Sequence, residues 1–246
     1  MGVGRWAFPF LLMLTAIIVA AGSSRRMGFN KLFANIAGAP VIAHTICAFE
    51  EAGSVSEIVV VACEDRHAEI GKIARDRSFK KVRSIVIGGE HRQDSVRAGL
   101  ARLSADAKYV AVHDAARPLI TPERIERVFE QCRAHGAATL AEPINDTLKR
   151  ADANQFDSRS GQVLLVTGSV DRHQLYAMQT PQIFERALIE EAYRAIYADN
   201  VSVTDEVSAV ERLGREVALV LNDDFNFKIT YPRDLPLAEF ILQQKV

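Results

Sequence analysis

The chain has 246 residues, 48% hydrophobic and 25% charged, with a formal net charge of -1. That is enough chain for one large core and a small appendage. The near-zero charge excludes nucleic acid as the default partner, because no global basic footprint exists, while local basic clusters can still surround a small anion.

The amino terminus supports two readings. Arg5 precedes an uncharged stretch from Trp6 to Ser24, and "VAAG" offers a small-residue cleavage site, as in a signal peptide. The stretch is broken by Pro9, Thr15, Gly22 and serines, and so falls short of the ~20 apolar residues of a membrane span. Alternatively, Ile17, Ile18 and Val19 are β-branched and lead into a Gly-Ser turn, which predicts a buried strand over Thr15–Ala20. Further strands are predicted at Glu57–Ala62, Ser84–Gly89, Tyr109–Asp114, Ala138–Ile144 and Val217–Asp223. Several are apolar at consecutive positions, as strands covered on both faces are.

Helical spacing falls between them. "VIAHTICAFEEAG" sets Val41, Ile42, Thr45, Ile46 and Phe49 on one face and stops at Gly53. "DSVRAGLARL" repeats the period, and "TPERIERVFEQCRAHG" begins with Thr121 as N-cap and Pro122 at the first helical position, ending at Gly136. "PRDLPLAEFILQQ" closes the chain as a helix. Alternation of this kind predicts an α/β fold with an open, mostly parallel sheet. Residues 145–170 break the rhythm: they are polar and turn-rich, and read either as an arm or hairpin meeting a second subunit or as a surface loop. Cys47, Cys63 and Cys132 are odd in number and lack CxxC spacing, so they are expected to be reduced, buried thiols in a cytosolic protein.

Three loops at one sheet edge carry polar chemistry. In "AAGSSRRMGFNK" (Ala20–Lys31), Gly22 allows close backbone approach, N–H groups can cradle phosphate oxygens, and Arg25, Arg26 and Lys31 add charge. Neither GxGxxG nor GxxxxGK[ST] is present, so a solvated basic loop is an equal reading of this stretch alone. "VHDAARP" puts Asp114 and Arg117 at a strand end, as ligand groups or as an ordinary capping pair. "GGEHRQDSV" brings Ser95 to a helix start beside paired glycines. Lys228 lies among apolar neighbours in "NFKIT", aimed at an anion or snorkelling to water. His113 and His173 have no partner at metal-ligand spacing and read as hydrogen-bonding histidines.

Together, "AAGSSRRMG…NK", "GGEHRQDSVRAGL", "VHDAARP", "DTLKR", "VDRHQLYAMQTPQIF", "TDEVSAVE" and "NFKITYPRDLPLAE" resemble, in order, the methylerythritol-phosphate cytidylyltransferases of the non-mevalonate isoprenoid pathway. The match runs from about Thr15 to the carboxyl terminus. The resemblance implies a Rossmann-like nucleotidyltransferase fold, a homodimer formed through the arm at about residues 145–170, and Mg2+-dependent transfer of a cytidylyl group from CTP to methylerythritol phosphate. It implies catalytic cations at Arg26, Lys31, Arg172 and Lys228. It also implies substrate contacts at Asp114, Arg117 and Thr147, with Thr180 joining across the dimer. Ala20, Ala21, Gly22, Gly89, Glu90, Ser95 and Ala115 match the positions that hold the cytidine portion, and no protein metal ligand is implied.

The chain departs from the family at Ser24, where many members have glycine, at Asn30, where many have proline, and at Glu90, often aspartate. Residues 1–13 have no family counterpart and read as an extension before a single domain over residues 14–246. Signal cleavage after Ala21 would remove the first strand, so a cytoplasmic protein without membrane or nucleic-acid partners is expected. Closure on the last helix predicts one activity, without the fused cyclodiphosphate synthase known in the family. Ribitol-phosphate cytidylyltransferase is the nearest rival, disfavoured by the Lys-Arg of "DTLKR". A dinucleotide oxidoreductase lacks its fingerprint here, and a binding module without catalysis is disfavoured by four intact cations.

Overall fold

The computed structural model describes residues 14–22, 28–157 and 163–244. In chain order the elements are β1 (Leu14–Val19), the short strands β2 (Asn35–Ile36) and β3 (Ala39–Pro40), α1 (Val41–Glu51), β4 (Val55–Ala62), α2 (His67–Asp76), β5 (Val82–Ile87), α3 (Arg92–Leu100), β6 (Tyr109–Asp114), α4 (Pro122–His135), β7 (Ala137–Pro143), β8 (Leu148–Asp157), β9 (Val163–Val170), β10 (Tyr176–Glu185), α5 (Arg186–Ala198), α6 (Glu206–Glu211), β11 (Ala218–Leu221) and α7 (Asp234–Gln244).

Seven strands form one sheet in the order β11-β7-β10-β6-β1-β4-β5. β10 runs antiparallel to both β6 and β7, and the other pairings are parallel, giving the mostly parallel α/β sheet expected. β1 shows why the sequence folds this way. Its side chains alternate across the pleat, with Leu14, Ala16 and Ile18 in one apolar cluster and Ile17 in the other. On the first face lie Ile42 and Ile46 of α1, Ile70 of α2, Ile125 and Val128 of α4 and Ile241 of α7. Val96 of α3, Ile189 and Tyr193 of α5 and Val210 of α6 cover the second. A strand buried on both sides must be apolar at consecutive positions, and "LTAIIV" is.

The helix ends follow their capping chemistry. Thr121 Oγ1 accepts from the Arg124 N–H, Pro122 takes the first helical position of α4, and Gly136 closes it with φ +82°. At Gly99 on α3 an added Cβ would lie 2.6 Å from Ile17 Cγ2, so only glycine lets this helix press so closely onto β1.

β8 and β9 pair antiparallel as a separate two-stranded sheet, so residues 145–170 hold a strand pair and are not a plain surface loop. α2, α5, α6 and β10 were not anticipated. The thiol expectation is corrected in part: Cys132 is buried, while Cys47 and Cys63 are half-buried. Burial, with Glu185 adding to it, pushes the Cys132 thiol up to about 12.

Candidate active site

Parallel strands deliver their carboxyl ends to one edge, which is where open α/β sheets bind ligands. Here the loops after β1, β5, β6 and β11 meet at that edge, and because β10 is antiparallel it contributes its amino-terminal half there. Loop contacts are tight. A Cβ on Gly88 would fall 2.6 Å from Ala21 Cβ and 2.7 Å from Ser95 Oγ, so the loops after β1 and β5 touch. The Gly89 N–H donates to Ser95 Oγ at 3.2 Å, which ties the glycine pair to α3.

Asp114 is the hub. It ends β6, is 8% exposed, and its carboxylate receives Lys228 Nζ at 2.9 Å and Arg92 Nε at 3.2 Å, with Arg117 Nε at 3.8 Å. Burial alone would raise its pKa, but Arg92, then Lys228 and Arg117, outweigh that and hold the carboxyl well below the usual carboxylate range. Arg92 is anchored from behind, donating to both oxygens of the fully buried Glu206 at 2.7 and 2.9 Å. Burial would weaken the Arg92 charge, yet Glu206 and Asp114 hold the guanidinium protonated. Glu206 also accepts from Tyr193 Oη at 3.0 Å, and its backbone N–H donates to Gln182 Oε1 at 3.1 Å.

The backbone around Asp114 is fixed as firmly. Its N–H donates to Thr180 Oγ1 at 3.1 Å, and that hydroxyl also lies 3.0 Å from His113 Nδ1. Thr180 is 4% exposed within this chain, because antiparallel pairing of Gln182–Glu185 with β6 sets the preceding residues of β10 beside the end of that strand. Ala115 is held through Thr45 Oγ1 on its carbonyl at 2.9 Å, and Arg117 Nη1 donates to the Asn226 carbonyl at 2.7 Å. His113 is fully buried against Phe49, and its desolvation lowers its pKa to about 3, so it stays neutral as a hydrogen-bonding ring.

Two of the four expected cations come together. Lys31 Nζ donates to the Ile229 carbonyl at 2.5 Å, one residue beyond Lys228, and Ile229 in turn donates its N–H to the Ala116 carbonyl at 2.8 Å. Asn30 N-caps the short 3-10 turn carrying Lys31, its Oδ1 accepting from the Leu32 N–H at 3.2 Å. Arg26 and Ser24 lie outside the described residues. Arg172 does not join the Asp114 cluster; it is exposed and donates to the Asn145 carbonyl at the mouth of the hairpin, where exposed Thr147 also sits. Ala20 is buried at the end of β1, Gly22, Gly89 and Glu90 are exposed at the edge, and Ser95 is buried beneath it.

The sequence reading quoted Arg92 and Glu206 inside motifs without singling them out. One signal was available: an arginine in the first turn of α3 opposes the helix dipole and needs a compensating anion. Arg66 carried no such signal. Among the described residues no group of three His, Cys, Asp or Glu side chains could hold a metal, and no helix is long and apolar enough to cross a membrane.

Comparison with known proteins agrees with this geometry. A family model described as 2-C-methyl-D-erythritol 4-phosphate cytidylyltransferase matches residues 14–244. The chain is 40% identical over 233 residues to the protein of that name from Halalkalibacterium halodurans, covering 94% of this chain and 97% of the relative. It is 39% identical over 230 residues to the Dehalococcoides mccartyi protein of the same name, covering 93% and 96%. Among solved structures, the 4-diphosphocytidyl-2C-methyl-D-erythritol synthase of Anaerococcus prevotii superposes with a TM-score of 0.79 at 28% identity, covering 95% of this chain and 97% of that one. By family model, relatives and fold, this chain belongs to the 2-C-methyl-D-erythritol 4-phosphate cytidylyltransferases.

Proposed function

We propose that the chain transfers the cytidylyl group of CTP to 2-C-methyl-D-erythritol 4-phosphate, giving 4-diphosphocytidyl-2-C-methyl-D-erythritol and pyrophosphate in isoprenoid precursor synthesis. The observation that carries this is the cationic cluster on Asp114 at the carboxyl edge, with Lys31 bonded to the carbonyl of Ile229 next to Lys228, in a chain of this family.

An oxygen of the acceptor phosphate attacks the α-phosphorus of CTP, a new P–O bond forms, and the bond to pyrophosphate breaks. No proton has to move at the reacting atoms and no covalent enzyme intermediate is needed. Two anions must meet, so positive charge and placement are what the protein supplies. Lys31 and Arg26 are assigned to the charge that grows in the transition state. Lys228 and Arg172 are assigned to the attacking phosphate, Lys228 being 42% exposed and shared between Asp114 and that phosphate. Asp114, Arg117, Thr147 and Thr180 are assigned to the alditol phosphate. Ala20, Ala21, Gly22, Gly89, Glu90, Ser95 and Ala115 are assigned to the nucleotide, with backbone groups near Ala20 and Gly89 selecting cytosine.

Mg2+ fits this edge through the nucleotide, since it commonly binds substrate phosphates with one or two carboxylates and keeps its waters. Asp114 already faces three cations and Glu206 is tied to Arg92 beneath the edge, which leaves the ion to the triphosphate, with exposed Glu90 within the same loop set. Bound there, Mg2+ neutralises phosphate charge. The β8–β9 hairpin is assigned to homodimer contact, residues 14–246 to one domain with residues 1–13 as an extension, and the protein to the cytoplasm.

The test is product formation with CTP and Mg2+ and two acceptors supplied separately. Methylerythritol phosphate should yield a diphosphate-bridged product by phosphorus NMR with equimolar pyrophosphate, and ribitol phosphate should not. Turnover of ribitol phosphate alone would reassign the acceptor.

A further inference from the structure

The turn after β4 holds the backbone of the first loop through three successive carbonyls. Arg66 Nη1 donates to the Ala20 carbonyl at 2.8 Å and to the Gly22 carbonyl at 2.9 Å, and Cys63 Sγ donates to the Ala21 carbonyl at 3.2 Å. Arg66 is only 9% exposed, and its Nε is buried with no hydrogen-bond partner among the described residues. Leaving a guanidinium N–H buried and unpaired is costly. The Nη1 bonds of Arg66 to the two loop carbonyls are what offset that cost among the described residues.

A trans peptide is planar, and its N–H points opposite to its C=O. Carbonyls of Ala20 and Ala21 turned towards the Cys63–Arg66 turn therefore send the N–H groups of Ala21 and Gly22 the other way. On that loop a Cβ added at Gly22 meets no atom of the described residues within 4 Å, while Gly88 closes on Ala21 from the neighbouring loop.

We propose that Arg66 is a positioning residue for the nucleotide: it fixes the peptide planes of Ala20–Gly22 so that successive N–H groups of the loop face the bound triphosphate. This rests on the assignment of that loop to CTP under the proposed function. Arg66 touches no reacting atom. Its effect is to pre-order a loop that would otherwise have to be ordered when the nucleotide binds, so it acts on CTP affinity and leaves the acceptor alone.

The test compares Arg66→Met, which keeps the stem and removes the donors, with Arg66→Lys, which keeps charge and one donor group. Both are measured by calorimetric CTP affinity with Mg2+, by steady-state kinetics and by thermal melting. Expected for Arg66→Met is a rise of about ten- to a hundredfold in Kd and KM for CTP, the size of one or two lost charged hydrogen bonds. The acceptor KM and the kcat at saturating CTP should change less than about twofold. Arg66→Lys should recover part of the CTP affinity, and it carries the test if the methionine variant does not fold. Folded variants with unchanged CTP affinity would overturn the proposal, as would losses of CTP and acceptor affinity that move together with Tm. Gly22→Val separates this failure from that of the site itself. If it weakens CTP while the Arg66 variants do not, only the role of Arg66 is wrong; if it too leaves CTP affinity unchanged, the loop is not the nucleotide site.

Discussion

Replacing Asp114 with Asn removes the charge at the hub while keeping the shape of the side chain and the backbone N–H bond to Thr180. Three cations then face one another without their shared anion. The pair with Lys228 is half in solvent and contributes little by itself. Arg92 and Arg117, with side chains 25% and 12% exposed, bear most of the loss, and Arg92 keeps Glu206. Breaking one member of a buried ionic cluster costs about 3–5 kcal/mol, and the retained Glu206 places this variant near the lower end, about 3 kcal/mol. For a chain of this size that lowers Tm by about 6–12 °C. Because the folded-state pKa of Asp114 is depressed, its contribution is fully present above the ordinary carboxylate value of about 3.9 and is lost as pH falls towards the lower folded value. Calorimetric melts of both proteins should show a gap that is constant from neutral pH down to about 5 and closes only in strong acid. A variant melting within about 1 °C of the wild type at neutral pH would refute the hub.

Lys31→Ala should leave the melt nearly unchanged and lower kcat about a hundred- to a thousandfold, as for one lost transition-state donor; an unaltered kcat by pyrophosphate release would remove Lys31 from the site. Gly99→Val should cost about 1–3 kcal/mol in urea unfolding, because the new Cβ lies 2.6 Å from Ile17 Cγ2; a neutral result would mean that α3 can step away from β1. His113 should show a neutral ring by nitrogen NMR from pH 8 down to about 4, since burial lowers its pKa to about 3. Its unfolded form binds a proton below about 6.5, so this stabilisation is present above that pH and is lost as pH falls towards about 3; a ring titrating near 6.5 in the folded protein would contradict its burial.

The sheet was legible where local pattern decides conformation. Ile17 and Ile18 sit on opposite faces of a strand covered on both sides, so β1 announces itself as a β-branched run. Thr121, Pro122 and Gly136 mark α4 by chemistry confined to its own ends. β10 was missed because Pro181 interrupts it, and its pairing with β7 shifts register between Met178 and Gln182, which hides an unbroken period. α5 carried a readable stripe, with Ile189, Tyr193 and Ile196 buried, but it follows β10 directly and its start was masked by that missed strand. In the site, Asp114 was found from its place at a strand end and Lys228 from its apolar neighbours in "NFKIT". Arg66 could not be, since its partners lie 44 and 46 residues away and a lone arginine after a strand has no local signature. Thr180 was found as a residue of the set, and its bond to the Asp114 N–H shows that this chain's own β10 sets it beside the hub.

The central claim is that the acceptor phosphate attacks the α-phosphorus of CTP directly, with the protein supplying charge and position and no nucleophile. CTP made chiral at its α-phosphorus tests this most directly. The account predicts a product with inverted configuration at that phosphorus, from one in-line displacement. Retained configuration would mean two displacements through a cytidylyl-enzyme intermediate, and would contradict it.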